Sequence, residues 1–178
     1  YELDIDYISD IEYIPGNNDP NTNFKVVKDE TKPITSVRQF TLNCDDKIKT
    51  IRIGENVEFV DTKAFYSCWA LQNIEVDENN PNYCDVDGVL YNKDKTELLW
   101  YPSDKTDKKL VVRNTVKSVE YLNNINIEEI VLSDSVESVN KSVFWRCENL
   151  KRVHFGKNMK EIICDDEFDV EYMNPFVY

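Results

Sequence analysis

The sequence is short of the groups that most catalytic and metal sites use. It has one histidine, His154, and its five cysteines form neither a C-x-x-C pair nor a cluster with that histidine. A nucleophilic or metal site needs several such groups close together. We therefore predict a protein that is not an enzyme and that holds no cofactor or metal, with His154 as a solvated residue of the last strand.

Basic residues are scarce relative to acidic ones. The chain has 21 Lys and Arg against 34 Asp and Glu, which gives a net charge of −13. Binding to nucleic acid or to anionic lipid requires a basic surface. The charge therefore argues against both partners, and the acidic residues are spread along the chain as solubility requires.

Long apolar runs are also missing. No stretch of 18 apolar residues occurs, so we predict no insertion into a membrane. No signal peptide is visible, but the chain opens at Tyr1 without Met, which indicates a processed or trimmed piece and leaves secretion open. The length of 178 residues suits one domain.

A repeat dominates what is present. The apolar pattern of residues 48–53 returns in residues 71–76, a shift of 23 (71 − 48), and residues 127–132 return in 150–155 with the same shift. This pattern, L-x-x-L-x-L at the head of a 23-residue period, predicts a leucine-rich repeat solenoid. We expect about five right-handed coils, in the α/β class by convention but mostly β, with short 3₁₀ or α turns.

Residues 48–70 are the most regular copy and define the coil. Period-two alternation predicts a strand with Ile51 and Ile53 on the core side. A second inward segment is expected at Val57-x-x-Val60, and the spacing of Ala64-Phe65-x-x-Cys68 predicts a single helical turn.

The chain divides into three parts. Residues 1–23 do not match the repeat and are interpreted as an N-terminal cap or as the tail of an upstream region. Residues 24–163 form the solenoid, with Phe24-Lys-Val-Val as the strand of a degenerate first repeat and with a projecting β-hairpin inserted at about 80–102. Residues 164–178 are a C-terminal cap or a truncated further repeat.

Three of the cysteines occupy equivalent places in their coils. Cys44, Cys68 and Cys147 each precede a strand by three or four residues, where a small buried side chain fills a tight corner. Parallel stacking argues against a disulfide between Cys44 and Cys68. Cys84, in a polar loop, is expected to be the exposed thiol, and the pairing of Cys84 and Cys164 is open.

Three motifs carry a resemblance to a known family. They are I-x-I-G-x-x-V-x-x-V at residues 51–60, A-F-x-x-C-x-x-L at 64–71, and N-P-x-Y-x-x-x-D-G-V-L-Y-N-K-D-K-T-x-L-x-x-Y-P at 80–102. The chain resembles the BspA-type leucine-rich repeats of bacterial surface proteins over residues 34–163. The resemblance implies a secreted or cell-surface protein that adheres to host proteins or to other cells, and it brings no catalytic residues.

The outward residues of the predicted sheet are the candidate binding surface. One row reads Arg52, Glu75, Val111, Val131, His154, and the row beside it ends at Glu129 and Arg152. Neighbouring coils would pair Arg52 with Glu75 and Glu129 with Arg152, so the row is either a set of structural ion pairs or a partly apolar binding strip centred on Val111 and Val131. Tyr66 and Trp145 hold equivalent positions at the coil edge, where they either bind a partner or cover the coil below.

The predicted function is recognition of a protein or glycan partner, possibly on a host surface or matrix, through the sheet face or its edge. Two alternatives are open: a structural spacer that carries other domains, and an accessory domain of a secreted hydrolase. A sheet whose charges are all paired and that lacks an apolar patch would favour the spacer. The oligomeric state and the ligand are not predicted.

Overall fold

The structure is a computed structural model that describes residues 2–5, 10–13, 24–27, 33–38 and 48–163, with side chains for 33–38 and 48–163. The strands are Glu2–Ile5, Asp10–Tyr13, Phe24–Val27, Ser36–Val37, Thr50–Ile53, Phe59–Val60, Asn73–Val76, Tyr83–Val86, Val89–Asn92, Glu97–Trp100, Lys109–Val111, Ser118–Val119, Glu129–Val131, Ser138–Asn140, Arg152–His154 and Glu161–Ile163. The 3₁₀ helices are Thr62–Phe65 and Lys141–Phe144.

Parallel strands from successive coils confirm the solenoid. Thr50–Ile53 pairs with Asn73–Val76, and Ile51 lies opposite Ile74. Further along, Glu129–Val131 pairs with Lys109–Val111 on one side and Arg152–His154 on the other. A 23-residue shift therefore moves a side chain to the same place in the next coil, as the repeat predicts.

The regular repeat folds as its pattern predicts. Ile51, Ile53 and Val57 are almost completely buried, and Val60 is 6 % exposed. The predicted helical turn is the 3₁₀ helix Thr62–Phe65, whose first amides are capped by the side chain of Asp61. Asn140 caps the equivalent turn Lys141–Phe144 in the same way, and both residue types are favoured caps.

A second set of parallel strands lines the side of the coils opposite the main sheets. Ser36–Val37 pairs with Phe59–Val60, and Ser138–Asn140 pairs with Glu161–Ile163. The first three of these strands each contribute one inward residue, namely Val37, Val60 and Val139, whereas Glu161–Ile163 is exposed. These strands are the Val-x-x-Val segments of the sequence pattern.

The insertion is a three-stranded meander, one strand larger than the predicted hairpin. Tyr83–Val86 pairs with Val89–Asn92, which pairs with Glu97–Trp100, all antiparallel. Asp87 and Gly88 both have positive φ, 53° and 77°, which is the backbone of a two-residue type I′ hairpin turn. Asp87 and Gly88 are therefore the two central residues of the hairpin turn.

The meander differs from the prediction of a projecting hairpin, because both of its faces are buried. Leu90 and Trp100 belong to the apolar cluster that contains Ile51 and Ile74. On the opposite face, Val89, Tyr91, Leu98 and Tyr101 join the cluster that contains Ile130. The insertion is therefore a layer between two groups of coils, and the exposed residues within its strands and turns are Asp87, the polar turn 93–95 and Glu97.

The start of the main sheet also differs from the prediction. The strand beside Thr50–Ile53 is Glu2–Ile5, which the sequence analysis placed in the cap. Phe24–Val27 is a strand, as predicted, but it pairs antiparallel with Asp10–Tyr13 instead of joining the main sheet. The antiparallel hairpin of these two strands takes the place of the predicted strand of the degenerate first repeat. The predicted C-terminal segment 164–178 lies outside the described residues.

Cys68 is buried, as predicted, but it is disulfide-bonded. Its partner lies outside the described residues, since the other two described cysteines, Cys84 and Cys147, are free. Cys44 lies outside the described residues, so the prediction about a bond between Cys44 and Cys68 stays a prediction. Cys147 is a buried thiol whose pKa is raised to about 11 by burial. Cys84 is half-buried.

Candidate recognition surface

Glu129 is the centre of a row of charges on the outward face of the second main sheet. Its Oε1 lies 2.7 Å from Lys109 Nζ and its Oε2 lies 3.0 Å from Arg152 Nη2, so one carboxylate bridges the two neighbouring strands. The hydrogen bonds from Lys109 and Arg152 hold the pKa of Glu129 below its ordinary range. The predicted pair of Glu129 and Arg152 is confirmed, and Lys109 extends it.

Val111, Val131 and His154 form the adjacent outward column of the same sheet. Val111 is 61 % exposed, an unusual value for a β-branched side chain on an ordered strand, and Val131 is half-buried. His154 is exposed, and its Nε2 lies 3.4 Å from Glu129 Oε1. The sheet therefore presents a small apolar patch beside a row of mutually neutralised charges.

Arg52 and Glu75 pair as predicted, but they are not continuous with this patch. Arg52 Nε donates to Glu75 Oε2 at 2.8 Å on the first main sheet. The next place along that sheet is taken by the insertion, because the Ile74 amide donates to the Gly88 carbonyl at 2.9 Å. The predicted single row from Arg52 to His154 is therefore wrong: it is split between two sheets, since the meander occupies a coil layer of its own.

Ion pairs at a spacing of 23 residues continue outside the sheet. Glu128 pairs with Lys151, Asp134 with Lys157 and Glu137 with Lys160. Each such exposed pair is weak on its own, because solvent screens the attraction between its charges. Together they connect the last two coils and fix their register.

Tyr66 covers the neighbouring coils. Its ring lies 5.9 Å from Trp100 and meets Tyr121 edge-on at 5.3 Å, with a side-chain hydrogen bond between the two tyrosines. Burial and that hydrogen bond raise the pKa of Tyr66. This packing favours the prediction that Tyr66 covers the neighbouring coil over the prediction that it binds a partner.

Trp145 lies in a cluster that sequence reasoning missed. The guanidinium carbon of Arg146 lies 4.0 Å from the centre of the Trp69 ring and 5.9 Å from the centre of the Trp145 ring. Trp69 is 37 % exposed. Trp69 and Arg146 occupy different positions of the repeat. In the alignment of the repeats, Trp69 corresponds to Glu148 and Arg146 corresponds to Ser67, so no column contains both. The sequence feature that could have indicated this contact is the short coil between the two residues. In that coil Leu110 and Ile130 are 20 residues apart (130 − 110) instead of 23.

The acidic side chains of the first meander hairpin have structural roles. Asp85 Oδ1 accepts the amide of Val76 at 2.8 Å, and Asp87 forms the type I′ turn. Within the described ranges, no group of three or more histidine, cysteine, aspartate or glutamate side chains is placed to hold a metal ion. The helices among the described residues are single turns, and none has the length and apolarity needed to cross a bilayer.

The fold defines a leucine-rich solenoid, and the family follows from sequence comparison. The BspA type leucine-rich repeat region matches the chain in six copies over residues 10–86 and 113–166. The chain belongs to this family. The unmatched residues between the two segments contain most of the meander, which agrees with its position as an insertion in the repeat. A comparison with curated protein sequences finds no match.

Solved structures show the same fold. The pneumococcal vaccine antigen PcpA is 24 % identical and aligns with a TM-score of 0.59 over 64 % of this chain and 29 % of its own. A leucine-rich cell surface protein of Faecalibacterium prausnitzii is 23 % identical, with a TM-score of 0.56 over 71 % of this chain and 40 % of its own. The chain thus spans less than half the length of either protein.

Proposed function

We propose that this domain is a non-enzymatic recognition module that binds a protein partner through the outward face of Lys109–Val111, Glu129–Val131 and Arg152–His154. The exposure of Val111 carries the proposal. Val111 is 61 % exposed on an ordered sheet, so a partner that buries its side chain would add hydrophobic stabilisation. An apolar centre with a polar, hydrogen-bonded rim is the usual anatomy of a protein interface.

The charge pairs around Val111 suit that role. Because Glu129 satisfies Lys109 and Arg152, a partner covering the patch does not have to desolvate isolated charges. The strands that carry the patch are fixed by parallel pairing on both sides of Glu129–Val131. A rigid surface loses little conformational entropy when it binds.

We assign the module to a secreted or cell-surface protein. The disulfide at Cys68 supports this, because stable disulfides belong to oxidising compartments. The protein of the same fold from Faecalibacterium prausnitzii is a cell surface protein, which is in keeping with this assignment. The surface would then face host proteins or extracellular matrix.

The test is binding of the chain to an array of extracellular-matrix proteins and glycans, with Val111→Glu as the decisive variant. A carboxylate in the centre of the patch should weaken binding by at least about tenfold, because it would be buried without a partner. Asn114→Glu adds the same charge at an exposed position outside the three strands and should bind like the wild type. Equal binding by Val111→Glu and the wild type would overturn the assignment of the sheet face.

A structural spacer is the second candidate, and the ion pairs between coils favour it. The pairs of Glu128, Asp134 and Glu137 with lysines of the next coil stiffen the stack without offering free charges. A spacer predicts that no member of the array binds, and that Val111→Glu leaves the chain folded and monodisperse.

A further inference from the structure

Positive charges outnumber negative ones on the proposed recognition face, although the chain as a whole is acidic. Glu129, on the central strand, lies between Lys109 and Arg152 of the two neighbouring strands, at 2.7 and 3.0 Å. One carboxylate is therefore shared by two cations. The charges of this row are paired, but they are not balanced.

The residues that precede the three strands repeat this arrangement. Glu128 Oε2 lies 2.7 Å from Lys151 Nζ, and its Oε1 lies 3.8 Å from Lys108 Nζ. Four cations and two carboxylates therefore give this face a surplus of two positive charges. Since the whole chain has a net charge of −13, the rest of it carries −15 (−13 − 2). The solubility of an acidic chain does not require a local surplus of the opposite sign.

The cations extend further into solvent than the carboxylates that they share. The side chain of Glu129 is 18 % exposed, against 53 % for Lys109 and 67 % for Arg152. An ammonium group has three N–H donors and a guanidinium has five, of which Glu129 takes one from each. The remaining donors can therefore bind acceptors of a partner without breaking the ion pairs. A partner approaching this face meets the cations first.

The valines of this face lie at a fixed distance from the charged row. Val111 and Val131 follow Lys109 and Glu129 by two residues, on the same face of their strands and in register. Residues two apart on a strand are separated by about 6.6 Å. An extended peptide has the same spacing between the residues of one of its faces. A segment in which a carboxylate lies two residues from an apolar side chain therefore matches both the cations and the valines.

We propose that the segment of the partner that docks here is an extended, acidic stretch of polypeptide. Its carboxylates bind Lys109 and Arg152, and an apolar side chain two residues away covers Val111 and Val131. This inference rests on the proposed function of the sheet face and names the chemistry of the partner. A polypeptide fits better than a sulfated or polyuronic glycan, because a glycan has no aliphatic side chain for the valines and a long polyanion is repelled by the rest of the chain.

The test is an NMR titration of the isotope-labelled chain at pH 7 with the end-blocked peptide T-E-T-L-T-E-T. The controls are the neutral peptide T-Q-T-L-T-Q-T and the basic peptide T-K-T-L-T-K-T. The acidic peptide should shift the backbone amides of Lys109–Val111, Glu129–Val131 and Arg152–His154. It should bind at least about fivefold more tightly than the neutral peptide, and the basic peptide should not bind.

Variants separate the charge of the face from its structure. Lys109→Gln should weaken binding of the acidic peptide by about fivefold, whereas Glu129→Gln, which raises the positive surplus by one, should strengthen it. If the ion pairs only maintained the fold, both changes would weaken binding. Lys117→Gln alters an exposed lysine beside Ser118–Val119, outside the three strands, and should bind like the wild type. The amide spectrum shows that each variant is folded.

Four outcomes would overturn the proposal: no shifts in the three strands with the acidic peptide, equal affinity for the neutral peptide, weaker binding by Glu129→Gln, or tighter binding of a heparin oligosaccharide to the same amides. Failure here and failure of the proposed function are separate results. If the neutral peptide shifts the three strands as strongly as the acidic one, the face binds polypeptide without selecting charge. If Val111→Glu leaves binding to the protein array intact, the sheet face itself is the wrong surface.

Discussion

Asn80 and Asn124 make the same four hydrogen bonds in two different coils. The amide nitrogen of Asn80 donates to the carbonyls of Gly54 and Val57, and that of Asn124 donates to the carbonyls of Pro102 and Lys105. Each amide oxygen also accepts two backbone amides, two and three residues further on. Both side chains are completely buried. They replace the hydrogen bonds that the backbone cannot make where the coil turns.

Asn124→Ala should therefore be strongly destabilising. It leaves the amides of Asn126 and Ile127 without their acceptor and removes one donor from each of the Pro102 and Lys105 carbonyls, for a cost of roughly 2–4 kcal/mol. Urea unfolding would measure the loss. Asn114→Ala, at an exposed asparagine of a turn, is the matched control and should stay within about 0.5 kcal/mol of the wild type. A loss for Asn124→Ala as small as the control's would show that water replaces the side chain.

Gly88→Ala should destabilise the insertion for two separable reasons. The residue has φ of 77°, and a Cβ there would lie 2.0 Å from Asn73 Oδ1. The left-handed backbone alone costs roughly 1–2 kcal/mol, and the contact adds to it unless Asn73 rotates. In an Asn73→Ala background the contact disappears while the backbone cost remains. The loss on Gly88→Ala, measured by urea unfolding, should then be smaller but still present. Complete recovery would contradict the strain argument.

The repeat pattern predicts the parts of this fold that depend on periodicity. Ile51 and Ile74 fall one coil apart and are completely buried, because a 23-residue shift preserves both the position in the coil and the facing direction. The alignment cannot show that the stack is divided into two clusters by the insertion. The signal for that was local: Val89, Leu90 and Tyr91 are consecutive apolar residues without alternation, as expected for a strand buried on both faces.

The candidate surface was predicted in part for a similar reason. Partners in register, such as Glu129 and Arg152, follow from the repeat. Trp69 and Arg146 are in contact, although no periodic column contains both. The same holds for the buried hydrogen-bonding residues Asn80 and Asn124, which the repeat pattern does not single out. Side-chain roles at the turns depend on coil length, which the period alone does not specify.

The bridge at Glu129 should make stability depend on pH in the acidic range. Hydrogen bonds from Lys109 and Arg152 lower the pKa of Glu129 in the folded protein from its ordinary value of 4.5. A carboxyl with a lowered folded-state pKa stabilises the fold above its ordinary pKa, and the stabilisation is lost as the pH falls through the folded-state value. Glu129→Gln should therefore unfold at a lower urea midpoint than the wild type at pH 7, and the two midpoints should converge as the pH falls through the folded-state pKa of Glu129.

The control for that measurement is Glu148→Gln. Glu148 is an exposed glutamate after the turn of the same coil, and its replacement should leave the difference between pH 7 and acid unchanged. If the gap between Glu129→Gln and the wild type persists unchanged below the folded-state pKa, the stabilisation does not come from the charge of Glu129.

The disulfide at Cys68 should supply a substantial part of the stability of the N-terminal coils. Cys68 is completely buried in the cluster with Ile51 and Phe65, and its bond restricts the unfolded chain. Breaking a disulfide in a small domain costs roughly 2–5 kcal/mol. A reductant should therefore lower the thermal midpoint of the wild type. Cys68→Ser should unfold at about the midpoint of the reduced wild type, and the reductant should not lower it further. Cys84→Ser, at a free half-buried thiol, should keep both the wild-type midpoint and its response to reductant. A wild-type midpoint that does not respond to a reductant able to reach the unfolded chain would show that the cross-link contributes little, and that burial alone explains the cysteine.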